Sequence, residues 1–405
     1  MKPIVRAGRM KPVHSDIRGP LFVEAMKRQK QGIDILKLNT GNPATFGFGL
    51  PDSIKNALIE HMQDGVGYCD FKGMPQARQA ICDYETSKGI KGITSDDVFI
   101  GNGVSEVVSF ALTPLLNDGD EVLVPSPSYS LWGNSVYLED GKPVFYTCDE
   151  QANWYPDIKD IRSKITDKTK AIVIINPNNP TGVLYPKELL LEIIQIARES
   201  ELLIFADEIY DRLVMDGKQH ISLASLTEDV PVITLNGLSK SHCLCGYRCG
   251  WMVISGPREL TEDYRQGIIQ LTSLRLCANT MAQIVIPAAL DDMETPASMV
   301  RPGGRIYEQR EATVRELEKI DGLSFVKNDA AFYVFPKLDV KKFNITNDKQ
   351  FAHDLLDATN ILLVPGSGFD WKDPDHFRIV MLPQADILSD AIRRMGTFLD
   401  GYKQK

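Results

Sequence analysis

The chain has 405 residues, more than one ordinary core holds, so two domains are expected. Its composition, 43% hydrophobic and 24% charged, is that of a globular protein; 54 acidic against 45 basic residues give a net charge of −9, which disfavours nucleic acid as the main partner. No apolar run is long enough to span a bilayer, so no membrane role is expected.

Residues 1–45 read as an irregular arm with one amphipathic stretch over 21–31. The basic start has no apolar run behind it, so no secretory signal is expected and the cytoplasm is the working location. From 46 to 300, strand candidates at 98–100, 121–124, 143–146, 171–175, 202–206, 232–235 and 251–254 alternate with helical periodicity, clearest over 104–116 and 186–200. Continuous apolar runs belong to strands buried on both faces, so this part is read as a large α/β/α domain around a mostly parallel sheet. Residues 301–405 open on a charged helix (304–319). Strand candidates at 323–326, 331–335, 361–364 and 377–381 follow, with helices near 349–358 and at the end, as in a smaller α+β domain. Seven cysteines, an odd number without regular spacing, suggest reduced thiols. Cys243, Cys245 and Cys249 lack the paired spacing of a zinc site, so no metal is expected.

Ligands of an open α/β sheet sit beyond the carboxyl ends of its strands, and four such ends carry loaded residues. Gly101-Asn102-Gly103-Val104-Ser105-Glu106 follows a strand and opens a helix, offering a phosphate glycine turns, helix-start N–H groups and the Ser105 hydroxyl. Glu106 stands where a dinucleotide fingerprint has its third glycine, and a capped helix start explains the segment equally well. Asn176-Pro177-Asn178-Asn179-Pro180-Thr181-Gly182 makes a rigid polar loop longer than a plain turn needs. Asp207 follows a buried strand, a costly place for an acid without a partner, although it could cap the next helix. Ser239-Lys240 follows a fourth strand, 232–235, with Arg248 eight residues on. A lysine there is either a surface residue or, in a dry cleft, an amine of lowered pKa able to form a Schiff base.

The series Asn-Pro-x-Asn-Pro-Thr-Gly, Asp-Glu-x-Tyr, Ser-Lys and Gly-x-Arg-x-Gly resembles the fold-type I aminotransferases, from about Gly19 to the C-terminus. The strings IRGP, LNTGNP, GYCD, NGLSK, RLCAN and DHFRI are most similar to the alanine–glutamate transaminase branch. The resemblance implies pyridoxal 5′-phosphate held as a Schiff base on Lys240, which also shuttles the Cα proton. It implies Asp207 on the pyridine nitrogen, Asn179 and Tyr210 on the phenolic oxygen and Tyr129 stacked on the ring. It further implies Val104, Ser105, Ser239 and Arg248 on the phosphate, joined by Tyr68 from a neighbouring subunit of a homodimer. Arg378 would grip the substrate carboxylate, with Asn179 and Gly41 beside it. The implied reaction is ping-pong transfer from L-alanine to 2-oxoglutarate.

Arg18, on the arm, is a candidate for a distal carboxylate or an arm-to-core ion pair; Arg275 is a second candidate cation. Ser15 replaces an aromatic residue of the branch, and Ser128 and Ser130 replace the usual flanks of Tyr129, which puts the amino-acid preference in question. The alternatives are a transaminase of other neutral amino acids and a lyase on the same cofactor. A ligand-sensing regulator would need a DNA-binding domain ahead of this one, and a dehydrogenase an intact glycine fingerprint.

Overall fold

The computed structural model describes residues 2–405. Eight strands form the main sheet: β1 (Val98–Asn102), β2 (Glu121–Ser126), β3 (Lys142–Asp149), β4 (Tyr155–Pro156), β5 (Thr169–Ile175), β6 (Leu203–Asp207), β7 (Val232–Gly237) and β8 (Cys249–Ser255). Their order is β1-β8-β7-β6-β5-β2-β3-β4. The pairs β3–β2, β2–β5, β5–β6 and β6–β7 are parallel, β8 runs against both β1 and β7, and β4 runs against β3.

Alternate residues of each strand feed opposite cores. Val122, Val124, Val173, Phe205, Ile233 and Met252 face the helices Val104–Leu112, Leu131–Leu138 and Arg258–Arg275. Leu123, Ile172, Ile174, Ile204 and Val232 face Leu190, Ile193, Ile194 and Ala197 of Lys187–Glu199. Each fully buried aliphatic side chain contributes about 1.5–3 kcal/mol, which is why both faces are apolar. The helix expected over 104–116 ends at Leu112, because Pro114 cannot continue it.

Residues after 300 build a second core from the helices Arg305–Leu317, Asp348–Thr359 and Ala385–Asp400, through Leu317, Phe351, Leu355, Leu388, Ile392 and Met395. Asn347 caps the middle helix by accepting from the Lys349 and Gln350 N–H groups. The strand Phe377–Val380 sits between Tyr333–Val334 and Val364–Pro365, antiparallel to both. The N-terminal arm joins this part: Leu36–Lys37 pairs in parallel with Ile361–Leu362, and Ala25 of the helix Pro20–Lys30 packs on Leu356 and Leu362.

What matters for the site is register. Ile175 lies opposite Asp207, and Asp207 opposite Leu235, so β5, β6 and β7 deliver their following loops to one edge.

Candidate active site

The first wall is the turn from β1 into the helix Val104–Leu112. Gly103 sits at its N-cap with φ 82°, and a Cβ there would lie 2.2 Å from Nη2 of Arg248. A Cβ on Gly250 would lie 2.3 Å from the Val104 nitrogen. Glycine at 250 lets strand β8 approach the turn, and glycine at 103 lets the Arg248 guanidinium rest against it. That guanidinium also donates from Nη1 to the Cys245 carbonyl at 2.9 Å. Exposed Ser105 and buried Ser239, at the start of the short helix Leu238–Ser241, supply hydroxyls. A helix N-terminus, a fork-shaped cation and two hydroxyls are the donor set a phosphate requires.

Glu106, which broke the fingerprint, closes this turn. Its carboxylate accepts from the Asn102 N–H at 2.7 Å and from Nδ2 of Asn102 at 2.9 Å, and pairs with Arg275 at 2.5 Å. Arg275 donates from Nη2 to the carbonyls of Phe71 and Ile100, so both terminal nitrogens tie the turn together, while its Nε has no partner.

Deeper in, Lys240 donates from Nζ to the Gly41 carbonyl at 2.9 Å, beside Cys245 Sγ at 4.0 Å. Burial pulls the Lys240 pKa down, but Tyr333, Cys245 and Tyr129 outweigh it and leave the pKa raised, contrary to the lowered value expected from the sequence. Asp207, 5% exposed at the end of β6, accepts from Trp132 Nε1 at 3.0 Å and from the Ile209 N–H at 3.4 Å. Both donors are neutral; burial raises its carboxyl to about 6, against the pull of the Trp132 hydrogen bond. The Tyr210 and Tyr333 hydroxyls meet at 2.9 Å, and burial holds the Tyr210 phenol far above its ordinary pKa.

Arg378 is 1% exposed and its guanidinium lies 4.6 Å from the centres of both the Tyr333 and Phe369 rings. It donates to Asn179 Oδ1 at 3.0 Å and to the Asn39 carbonyl, both neutral, while Nε has no hydrogen-bond partner. Burial lowers its pKa, offset in part by the Tyr333, Tyr210 and Tyr129 phenols. A buried cation with an unsatisfied donor and only neutral partners is the mark of an anion site. A Cβ on Gly41 would strike the Tyr333 hydroxyl at 2.2 Å, so only glycine closes this corner.

The geometry thus gathers Lys240, Asp207, Tyr210, Asn179, Arg378 and Gly41, with the Gly103–Arg248 cradle alongside. Tyr129, 36% exposed, is close enough to act on the charges of Lys240 and Arg378. Arg18 is exposed and lines a cavity of about 420 Å³ with Thr40, Asn42 and Phe46, on either side of Gly41. Tyr68 is 83% exposed, and no partner for it in its own chain appears among the described residues. Ser15 is exposed; Ser128 and Ser130 are buried, the Ser128 N–H donating to the Phe369 carbonyl at 2.9 Å. Sequence reasoning missed Trp132, Tyr333 and Asn39, which touch Asp207, Tyr210 and Arg378.

The family model described as aminotransferase class I and II matches residues 33–392. The chain belongs to the class I and II aminotransferases. It is 50% identical to the glutamate-pyruvate aminotransferase AlaA of Haemophilus influenzae over 404 residues, covering all of both chains. A solved aminotransferase from Escherichia coli superposes with a TM-score of 0.98 at 47% identity, covering all of both chains. An alanine aminotransferase from Pyrococcus furiosus superposes at 0.93 with 41% identity, over 98% of this chain and all of that one. Aminotransferases of this family use pyridoxal 5′-phosphate. The residues of this aminotransferase fit that group: a glycine cradle under Arg248 for the phosphate, a buried acid without a cation for the ring nitrogen, and an amine at Lys240.

Proposed function

We propose that this aminotransferase moves the amino group of L-alanine to 2-oxoglutarate, giving pyruvate and L-glutamate in a ping-pong sequence. The observation that carries the substrate class is Arg378, buried with an unpartnered Nε where an α-carboxylate would complete its hydrogen bonds. The names of the relatives from Haemophilus influenzae and Pyrococcus furiosus support the choice of alanine and glutamate.

Pyridoxal 5′-phosphate, when bound, supplies an aldehyde and an electron sink for the pair released at the substrate Cα. In our reading the chain does the rest. Val104, Ser105, Ser239 and Arg248 hold the phosphate, and Tyr129 stacks on the ring. Asp207 keeps the ring nitrogen protonated, and Tyr210 with Asn179 orients the phenolic oxygen. Arg378, Asn179 and Gly41 hold the α-carboxylate, which leaves the Lys240 amine to take the Cα proton and return it on the far side of the transfer. Arg18, over the cavity flanking Gly41, receives the distal carboxylate of glutamate.

The test is pyruvate formation from L-alanine by cofactor-loaded enzyme with no oxo acid present. Pyruvate stoichiometric with sites is expected, and Arg18→Ala should raise KM for glutamate more than for alanine. Ammonia in place of a retained amino group would point to a lyase, and an inert cofactor band to another donor.

We also read the enzyme as a cytoplasmic homodimer, with residues 46–300 as the cofactor domain, 301–405 as the small domain and 1–45 as the arm. Seven unpaired cysteines support the compartment. Tyr68 and Val66 lie exposed on the segment that Arg275 ties to Leu274 and Leu276, also exposed, an apolar area suited to a second copy. Mass measurement down to nanomolar concentration should find dimers; a fully active monomer would contradict shared sites.

A further inference from the structure

On the arm, a half-buried histidine bridges two carboxylates that the proposed reaction does not use. His14 places Nε2 3.0 Å from Asp370 Oδ1 and Nδ1 3.6 Å from Asp16 Oδ2. Its backbone is pinned separately: its N–H donates to Asn134 Oδ1 at 3.1 Å, and its carbonyl accepts from Asn134 Nδ2 at 2.6 Å. We propose that His14 is a positioning residue for Arg378, its imidazolium fixing the two supports that aim the buried guanidinium.

The first support starts at Asp16. The next residue, Ile17, accepts through its carbonyl from Asn39 Nδ2 at 2.8 Å, and the Asn39 carbonyl in turn accepts from Arg378. The second starts at Asp370, whose neighbour Phe369 lays its ring against the same guanidinium at 4.6 Å. Asp370 is tied to the end of β2 by its carbonyl, which accepts from Ser126 Oγ at 2.7 Å. The two carboxylates belong to segments far apart in sequence, and His14 is the cation set between them.

Other groups face this seat. Lys349 lies 3.1 Å from Asp16 Oδ1, and Tyr137 is raised by burial and by Asp370. Lys349 reaches only Asp16, so it cannot replace a bridge to Asp370. Asp16, and after it Asp370, hold the His14 pKa up to about 9 against its ordinary 6.5, although the shorter contact is with Asp370. A pKa raised in this way keeps the imidazolium charged through neutral pH; the stabilisation it gives is full below pH 6.5, and the bridge itself is lost as pH rises through about 9. Because Arg378 would hold the carboxylate equally before and during reaction, loosening it should appear in KM and not in kcat.

The inference rests on reading Arg378 as the carboxylate ligand, and the experiment separates the two. In cofactor-loaded enzyme, KM for L-alanine and L-glutamate and calorimetric binding of glutarate are measured for His14→Asn, His14→Lys and Arg378→Lys. At pH 7.5 the asparagine variant should weaken all three by about tenfold with kcat within about twofold, while lysine, which keeps a cation, restores them. The native enzyme should lose the same factor between about pH 8 and 10, and the asparagine variant should be flat there. Native-like binding by His14→Asn, a loss confined to kcat, or an unchanged alkaline limb in that variant overturns the proposal. If Arg378→Lys raises KM and His14→Asn does not, the proposal alone fails; if Arg378→Lys binds normally, the carboxylate reading fails with it.

Discussion

Replacing Lys240 by alanine is expected to lower kcat by about 10⁴-fold, the upper end of what a positioned proton-transfer group contributes, equivalent to about 5.5 kcal/mol. The size follows from what surrounds the amine. Lys240 Nζ reaches the Gly41 carbonyl and Cys245 Sγ, and the nearest hydroxyl pair, Tyr210 with Tyr333, is already hydrogen-bonded to itself. Burial keeps the Tyr210 phenol protonated at any working pH, so it offers no substitute base. Cys245 points its thiol at the Ser239 carbonyl, 2.9 Å away. Lys240→Arg is the sharper control, since a guanidinium keeps the charge and stays protonated, and it should be as inactive as alanine. Single-turnover formation of pyruvate from L-alanine measures both variants, with thermal unfolding to show that the fold survives. Retention of more than about a hundredth of the native rate would mean that another group moves the proton.

The elements that place Lys240 were legible for a physical reason. Val122, Leu123 and Val124 alternate between two cores, yet all three are apolar, so a doubly covered strand reads as an unbroken run. The loaded residues follow those runs directly, which makes the site edge visible as a series of polar residues after apolar stops. What stayed hidden depends on contacts between distant segments. Trp132 reads as an ordinary core aromatic, and only the approach of its helix to β6 turns its indole N–H toward Asp207. Tyr333 lies in an apolar stretch and becomes part of the site because Tyr210 and Gly41 fold against it. Asn39 acts on Arg378 through its carbonyl, a contribution its side chain does not advertise. Strand β4 is two residues long, contains Pro156 and pairs at the sheet edge, where no local pattern marks it. Charge made Arg275 a candidate cation, and its pairing with Glu106 across 169 residues was not visible in the sequence.

Asp207→Asn is expected to move stability and catalysis in opposite directions. In the cofactor-free protein, the Asp207 carboxyl is raised from 3.8 to about 6 by burial, so ionising it costs the fold about 3 kcal/mol at neutral pH. Asparagine removes that cost. It also loses one acceptor, because one amide terminus cannot accept from both Trp132 Nε1 and the Ile209 N–H, at about 1 kcal/mol. The net gain should be about 2 kcal/mol above pH 6 and should give way, well below pH 3.8, to a loss of about 1 kcal/mol, because aspartic acid is then protonated in both the folded and unfolded states and only the missing acceptor remains. With cofactor bound the sign reverses. A ring nitrogen facing an amide loses the anion that keeps it protonated, and breaking a buried charge pair costs about 3–5 kcal/mol. That corresponds to a fall in kcat/KM of about 10²- to 10⁴-fold. Thermal unfolding with and without pyridoxal 5′-phosphate, at pH 4 and pH 8, reads the first effect, and steady-state kinetics the second. A variant less stable than the native chain without cofactor at pH 8 would show that Asp207 serves the fold. A loaded variant within about tenfold of native activity would show that the ring nitrogen does not depend on it. The two results together test whether the acid at the end of β6 is tolerated by the fold because the cofactor needs it.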